Sequence, residues 1–134
     1  MNFKIFTVGD QIEMYYTEAI NEYSKRLTRY CKIHHCHVKN HVQLSKKIPA
    51  NDYIILVTTK GINISSEKLA NRINTLGVNR VSNISIIIGL NDEISCNEKL
   101  AISSMEMDLG LKSTVVFEQL YRAYRILNNE AYHK

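Results

Sequence analysis

The chain has 134 residues, 45% hydrophobic and 22% charged, which is enough for one hydrophobic core and too little for two, so a single domain spanning 1–134 is expected. No run approaches the roughly 18 apolar residues of a membrane span, and Met1 to Gly9 is too short for a signal peptide and lacks its cleavage pattern, which predicts a soluble, cytoplasmic protein. The formal charge of +4 and pI near 9.0 suit a polyanionic partner and equally an ordinary slightly basic domain, while Cys31, Cys36 and Cys96 cannot all pair and suit a reducing compartment.

Phe3 to Val8 is apolar on both alternating faces and reads as a strand buried on both sides of a parallel sheet, ended by Gly9. Asp10 with Glu13 gives a helix start of capping-box type, followed by the stripe Ile12, Tyr16, Ile20, Tyr23 and Leu27 of a helix running to about Arg29. Ile33 to Val38 is a second strand carrying His34, His35, Cys36 and His37. As a metal site this cluster is poor, because alternation lets only His35 and His37, or His34 and Cys36, converge. A short helix from His41 to Ile48 stops at Pro49. Tyr53 to Thr58 is the central strand, broken by Gly61. Ser65 or Ser66 caps a helix with the stripe Leu69, Ile73 and Leu76, ended by Gly77.

Asn83 to Ile88 is another buried strand, closing on Gly89. Asn91 to Cys96 reads as a turn, Asn97 to Leu100 as a short helix and Ile102 to Met107 as a last strand. From Val115 the stripe Val116, Leu120, Tyr124 and Leu127 forms an amphipathic helix, with Glu118, Gln119, Arg122, Arg125 and Asn129 opposite. The alternation of strands and helices predicts an α/β fold with a mainly parallel sheet, whose ligands sit beyond the carboxyl ends of the strands, so the loops after Val57 and Ile88 are the places for a site. Lys25, Arg26, Arg29 and Lys32 cluster with Tyr23 and Tyr30, and Lys46-Lys47 follows, a composition that can meet phosphates and stack on unpaired bases. No Gly-rich phosphate loop, paired-carboxylate site or nucleophile triad stands out.

The run Glu118-Gln119-Leu120-Tyr121-Arg122-Ala123 and the ending Tyr132-His133-Lys134 resemble the ribosomal RNA large subunit methyltransferase H family, small knotted enzymes of the SPOUT superfamily. Phe3 to Gly9, the stretch from Ala19 to Leu27, Gly61 and Ser65-Ser66-Glu67 extend the resemblance over most of the chain, while the connection around His41 to Ile48 is shorter than the family's. The resemblance implies a C-terminal trefoil knot, a homodimer with the site built from both chains, and S-adenosylmethionine as cofactor. It further implies ribosomal RNA of the large subunit as partner, methylated at N3 of a pseudouridine, with neither metal nor membrane.

By the same resemblance Val57, Gly89, Leu90 and the loop Ser103, Ser104, Met105, Glu106, Met107 and Asp108 would hold the cofactor, largely through main-chain groups. Tyr132 and His133 would reach the substrate base, with Arg122, Lys134 and Lys112 as substrate contacts. Four positions depart from the family. Leu90 replaces a second glycine, so its Cβ either fills part of the pocket or forces the loop to rearrange. Asp108, Leu109 and Ser113 stand where a Pro-His pair and a later arginine are expected, leaving Lys112 as the nearby cation. These departures favour an alternative, a degenerate homologue acting as a nucleic-acid- or protein-binding dimer. Arg122 can equally be a surface residue paired with Glu118 at i, i+4; for Tyr132-His133 the alternative is a frayed end, and the specific match at the terminus favours function over it.

Overall fold

A computed structural model describes residues 1–90 and 94–133; Lys134 and the first part of the turn expected at Asn91 to Cys96 lie outside the described residues. In chain order the elements are β1 (Asn2–Val8), α1 (Met14–Leu27), β2 (Lys32–Val38), α2 (His41–Ser45), β3 (Tyr53–Asn63), α3 (Ser66–Val78), β4 (Asn83–Ile88), β5 (Glu98–Ala101) and α4 (Leu109–Leu127). The strands form one parallel sheet in the order β2-β1-β4-β3-β5.

Alternation along the three inner strands divides the core in two. Phe3, Ile5, Ile55, Val57, Ile84, Ile86 and Ile88 face α1, α3 and α4, whereas Phe6, Val8, Leu56 and Ile87 face Leu44 of α2 and the segment carrying Ile94 and Cys96. Both faces are covered, which is why these strands read as continuous apolar runs. α3 is capped by Ser65, whose side chain accepts from the Lys68 amide, and buries Ala70, Ile73 and Leu76. α4 begins at Leu109, six residues before Val115, and buries a wider face than the expected stripe, with Phe117, Tyr121 and Ala123 beside Val116 and Leu120.

Five local expectations are corrected. The capping box at Asp10 does not form: the helix starts at Met14, Glu13 occupies the N-cap without a side-chain bond, and Gly9 at φ +141° turns residues 10–13 across the strand ends. β3 continues through Gly61 to Asn63, because that glycine gives β5 room to approach; a Cβ there would lie 2.7 Å from the backbone nitrogen of Leu100. Gly77 lies within α3, which ends one residue later at Val78. The segment expected as a helix at Asn97 to Leu100 is strand β5. Asn97 zips it to β3, donating its amide to the Ile54 carbonyl at 2.9 Å and accepting the Ile54 amide on its side chain at 2.8 Å. Pairing ends at Ala101, and Ile102 to Met107 is loop rather than strand, with Ser103 Oγ accepting from the Met105 amide.

The histidines of β2 have a structural use. His35 Nε2 and His37 Nδ1 both contact the buried Thr7 hydroxyl, at 2.9 and 2.8 Å, and among the described residues no group of His, Cys, Asp and Glu could hold a metal ion. Among the described residues no helix is long and apolar enough to cross a membrane. Gly61→Ala is expected to lower stability by about 1–3 kcal/mol through overpacking against the Leu100 backbone. Urea denaturation checks this, with the midpoint falling while the slope stays constant.

Candidate functional site

β1 and β4 are neighbours whose following connections leave in opposite directions, β1 toward β2 and β4 across β3 to β5. The carboxyl ends of such a pair leave a crevice where open parallel sheets bind ligands. A cavity of about 300 Å³ lies there, walled by Val8 to Glu13 after β1, Val57 to Thr59 on β3, Gly89-Leu90 after β4, and the stretch from Glu106 to Gly110 with Lys112.

Glycine makes this junction possible. Gly89 adopts φ +102°, and a Cβ there would sit 2.2 Å from the Val8 carbonyl oxygen. Leu109, the first residue of α4, lays its side chain over Gly89 and Gly9, its methyl carbons 3.0 and 3.3 Å from where their Cβ atoms would stand. Asp108 caps that helix by accepting from the Gly110 amide at 3.1 Å, and Gly110 packs so tightly on the Tyr16 ring that a Cβ would lie 2.3 Å from it. Thr59 donates to Glu106 at 3.2 Å, tying the loop before α4 to β3.

The departures at Leu90, Leu109 and Ser113 are accommodated. Leu90 is not among the positive-φ residues, and its side chain packs against the cluster of Phe6, Val8, Leu56 and Ile87 on the far face of the sheet. It walls the cavity without strain. Ser113 is fully buried and donates to the Leu109 carbonyl at 2.7 Å, a place with no room for an arginine. Leu109 fills the gap between the two glycines.

The chain end forms a second cluster. Arg122 donates to Glu118 Oε1 through Nε and Nη2, at 3.0 and 2.8 Å, so the i, i+4 pair exists. Its remaining arm, Nη1, meets His133 Nδ1 at 3.1 Å, and its guanidinium carbon lies 4.8 Å from the centre of the Tyr132 ring. Tyr132 donates to Glu118 Oε1 at 3.1 Å, and His133 Nε2 meets Glu67 Oε1, at the start of α3, at 2.6 Å. Gln119 accepts from Ser66 at 2.6 Å, a second tie between α4 and α3. Burial, reinforced by Glu118, pushes the Tyr132 phenol up to about 12, so it acts as a proton donor. The hydrogen bond from His133 holds the Glu67 carboxyl below its usual range, and those to Glu118 raise Arg122.

Of the residues expected from sequence, the cavity brings together Val57, Gly89, Leu90, Glu106, Met107, Asp108 and Lys112, and leaves out Ser103, Ser104 and Met105. Arg122, Tyr132 and His133 do not line it either. Lys112 and Arg122 are ten residues apart on α4, which places them about 15 Å apart along the helix axis. The wall contributed by Gly9 to Glu13 was not expected, whereas Thr58 and Thr59 directly follow Val57, where a site was expected. A strand ended by Gly9 was visible, but nothing in the residues says that β1 lies beside β4.

A family model described as "Predicted SPOUT methyltransferase" matches residues 1–133. The chain is 50% identical over 134 residues, all of both chains, to "Ribosomal RNA large subunit methyltransferase H 1" of Thermoanaerobacter sp. (strain X514). It is 36% identical, again over the whole of both chains, to the protein named "Ribosomal RNA large subunit methyltransferase H 1" of Clostridium perfringens (strain SM101 / Type A). A relative of Clostridium tetani (strain Massachusetts / E88), named "Ribosomal RNA large subunit methyltransferase H", is 35% identical. The two clostridial alignments run over 159 positions against the chain's 134.

Ser113→Arg, which restores the residue type of the resembled family, is expected to destabilise the fold by more than about 3 kcal/mol, since an unpaired guanidinium would be buried under Leu109. Thermal and urea unfolding measure it; a stable, folded variant would show that this helix start can repack.

Proposed function

The chain belongs to the SPOUT methyltransferase family, in the company of large-subunit ribosomal RNA methyltransferases H, and from that premise we propose that it transfers a methyl group from S-adenosylmethionine to large-subunit ribosomal RNA. The observation that carries this reading is the cavity between the ends of β1 and β4, with Gly89 at its base and Leu90 in its wall, packed against the far core. Its size is at the small end of the range for cofactor sites. The exposed carboxylates of Asp10, Glu13 and Glu106 suit an ammonium group and ribose hydroxyls, and the strand-end main chain suits an adenine edge. When bound, the cofactor would supply an electrophilic methyl group on a sulfonium.

The protein's part is positioning and one proton. The acceptor by resemblance is N3 of a pseudouridine, a ring nitrogen that must lose its proton as the new bond forms, so a modest base suffices when approach is in line. His133 is the candidate base, Tyr132 a hydrogen-bond donor to the nucleobase, and Arg122 and Lys112 phosphate contacts; Lys134 joins them by resemblance alone. The separation of the tail from the cavity favours a homodimer in which the tail of one protomer completes the cavity of its partner. Met14, Tyr15, Met105 and Leu111 support it, as exposed apolar residues beside the lining positions Glu13, Glu106, Gly110 and Lys112. An uncovered apolar rim of this kind suits a protein contact.

Titration calorimetry should give micromolar binding of S-adenosylmethionine by the native chain. At 100 times the dissociation constant the ligand should stabilise the fold by about 2.7 kcal/mol in a thermal shift. Leu90→Gly is expected to weaken the fold by about 1–3 kcal/mol without tightening binding, since that side chain serves the far core. Methyl transfer to ribosomes lacking the modification, located by mass spectrometry, then tests the substrate. Absence of cofactor binding by both proteins would replace the enzyme by a binding module of the same fold.

A further inference from the structure

The hydrogen bonds of the tail determine where the protons of His133 sit. A guanidinium carries only donors, so the contact from Arg122 Nη1 at 3.1 Å requires a lone pair on His133 Nδ1. The proton of the neutral ring then lies on Nε2, which donates it to Glu67 Oε1 at 2.6 Å. A doubly protonated ring would set an N–H against the guanidinium, and the Nδ1–H tautomer would lose both bonds. Glu118 offers no substitute partner. Its Oε1 takes two bonds from Arg122 and one from Tyr132, and its Oε2 takes the Gln119 amide.

We propose that Glu67 is a positioning residue for the chain end: it holds His133 as the Nε2–H tautomer, with the Nδ1 lone pair parked on Arg122 until an anionic ligand draws the guanidinium away. The inference rests on the reading of the tail as part of a methyl-transfer site. In the resting arrangement neither ring nitrogen can act as a base, because one is protonated and the other is occupied. Nη1 is the arm of Arg122 that carries no carboxylate, so an RNA phosphate competes there with an imidazole rather than with Glu118. Once Nδ1 is released, it takes the proton of the acceptor nitrogen. The electron pair left on that nitrogen would then take the methyl group that a bound sulfonium cofactor supplies, the C–S electrons remaining on sulfur, while Glu67 pairs the imidazolium until it gives its proton to water. The charged and titratable groups around the ring are Glu67 from α3, Arg122 and Glu118 from α4, and Tyr132 from the tail.

The test is nitrogen NMR of the full chain labelled at histidine, with His133 assigned by its loss in His133→Asn. Near neutral pH the native ring should show the Nε2–H tautomer. Glu67→Ala should release it into a mixture of tautomers, while Glu67→Gln, which keeps an acceptor oxygen and lacks the charge, should retain the tautomer. Glu67 is an exposed first-turn residue, so both variants should fold. Titration with inorganic phosphate should move the Nδ1 signal of the native ring and leave Nε2 in place. In methyl-transfer assays Glu67→Gln should lower kcat by about 10²-fold, the lower end of what a placed base contributes, with KM for RNA little changed. A native ring with the same tautomer mixture as Glu67→Ala overturns the proposal whatever the activity; a fixed tautomer in a protein without methyl transfer upholds the clamp and removes the enzymatic reading beneath it.

Discussion

The site depends on one steric constraint, the near contact of Gly89 with the Val8 carbonyl, where no Cβ can stand. Two parallel strands with oppositely departing connections meet there, and the missing side chain lets β4 turn sharply enough to leave a crevice. Leu109 then seats on Gly89 and Gly9, which places the start of α4, and with it Gly110 against Tyr16 and Ser113 under the first turn. The cavity walls are therefore set by backbone shape, and only a few positions on them need a particular side chain. This explains how the departures from the family pattern coexist with an intact crevice. A glycine required by positive φ and a 2.2 Å approach cannot be replaced, whereas the neighbouring position, free to take an ordinary φ, can carry Leu90 and use it in the core.

Most of the scaffold was legible in the residues because burial on both faces leaves a direct trace. Asn83 to Ile88 was read with the bounds the structure shows, since the run Ile86 to Ile88 after Asn83-Ile84-Ser85 admits little else. β5 was not legible. Its four residues, Glu98 to Ala101, have too little alternation to mark a strand, and what makes them one is the two-way bond of Asn97 to Ile54, a contact between positions 43 residues apart. Gly61 misled for the opposite reason. Glycine was taken as a terminator of β3 when it serves as the place where β5 comes close.

The site was legible only in part, and the division has a physical basis. Main-chain walls following Val57 and Ile88 followed from the rule that parallel sheets bind at their carboxyl ends. The wall after β1 required the strand order, which is a property of long-range pairing and leaves no mark on a local stretch. The tail was marked by residue type, Tyr132-His133, but its partners could not be, because Glu67 lies 66 positions away and is brought near by the packing of α3 on α4.

That partnership also bears on why the chain end is ordered at all. Terminal residues lose backbone and side-chain entropy on docking, and an isolated exposed ion pair returns little of it. Here the cost is spread over a connected set: Tyr132 packs edge-on against Tyr121 at 5.0 Å, lies under the Arg122 guanidinium, and shares Glu118 with it, while His133 bridges α4 to α3. Each group supports the next, so the end is held by several weak contacts at once. One of them, the donation from Arg122 to an imidazole, is weaker than the same arm could make to a phosphate. The assembly is thus stable when no anion is present and biased to open at Nη1 when one arrives, which is the behaviour a substrate-responsive chain end requires.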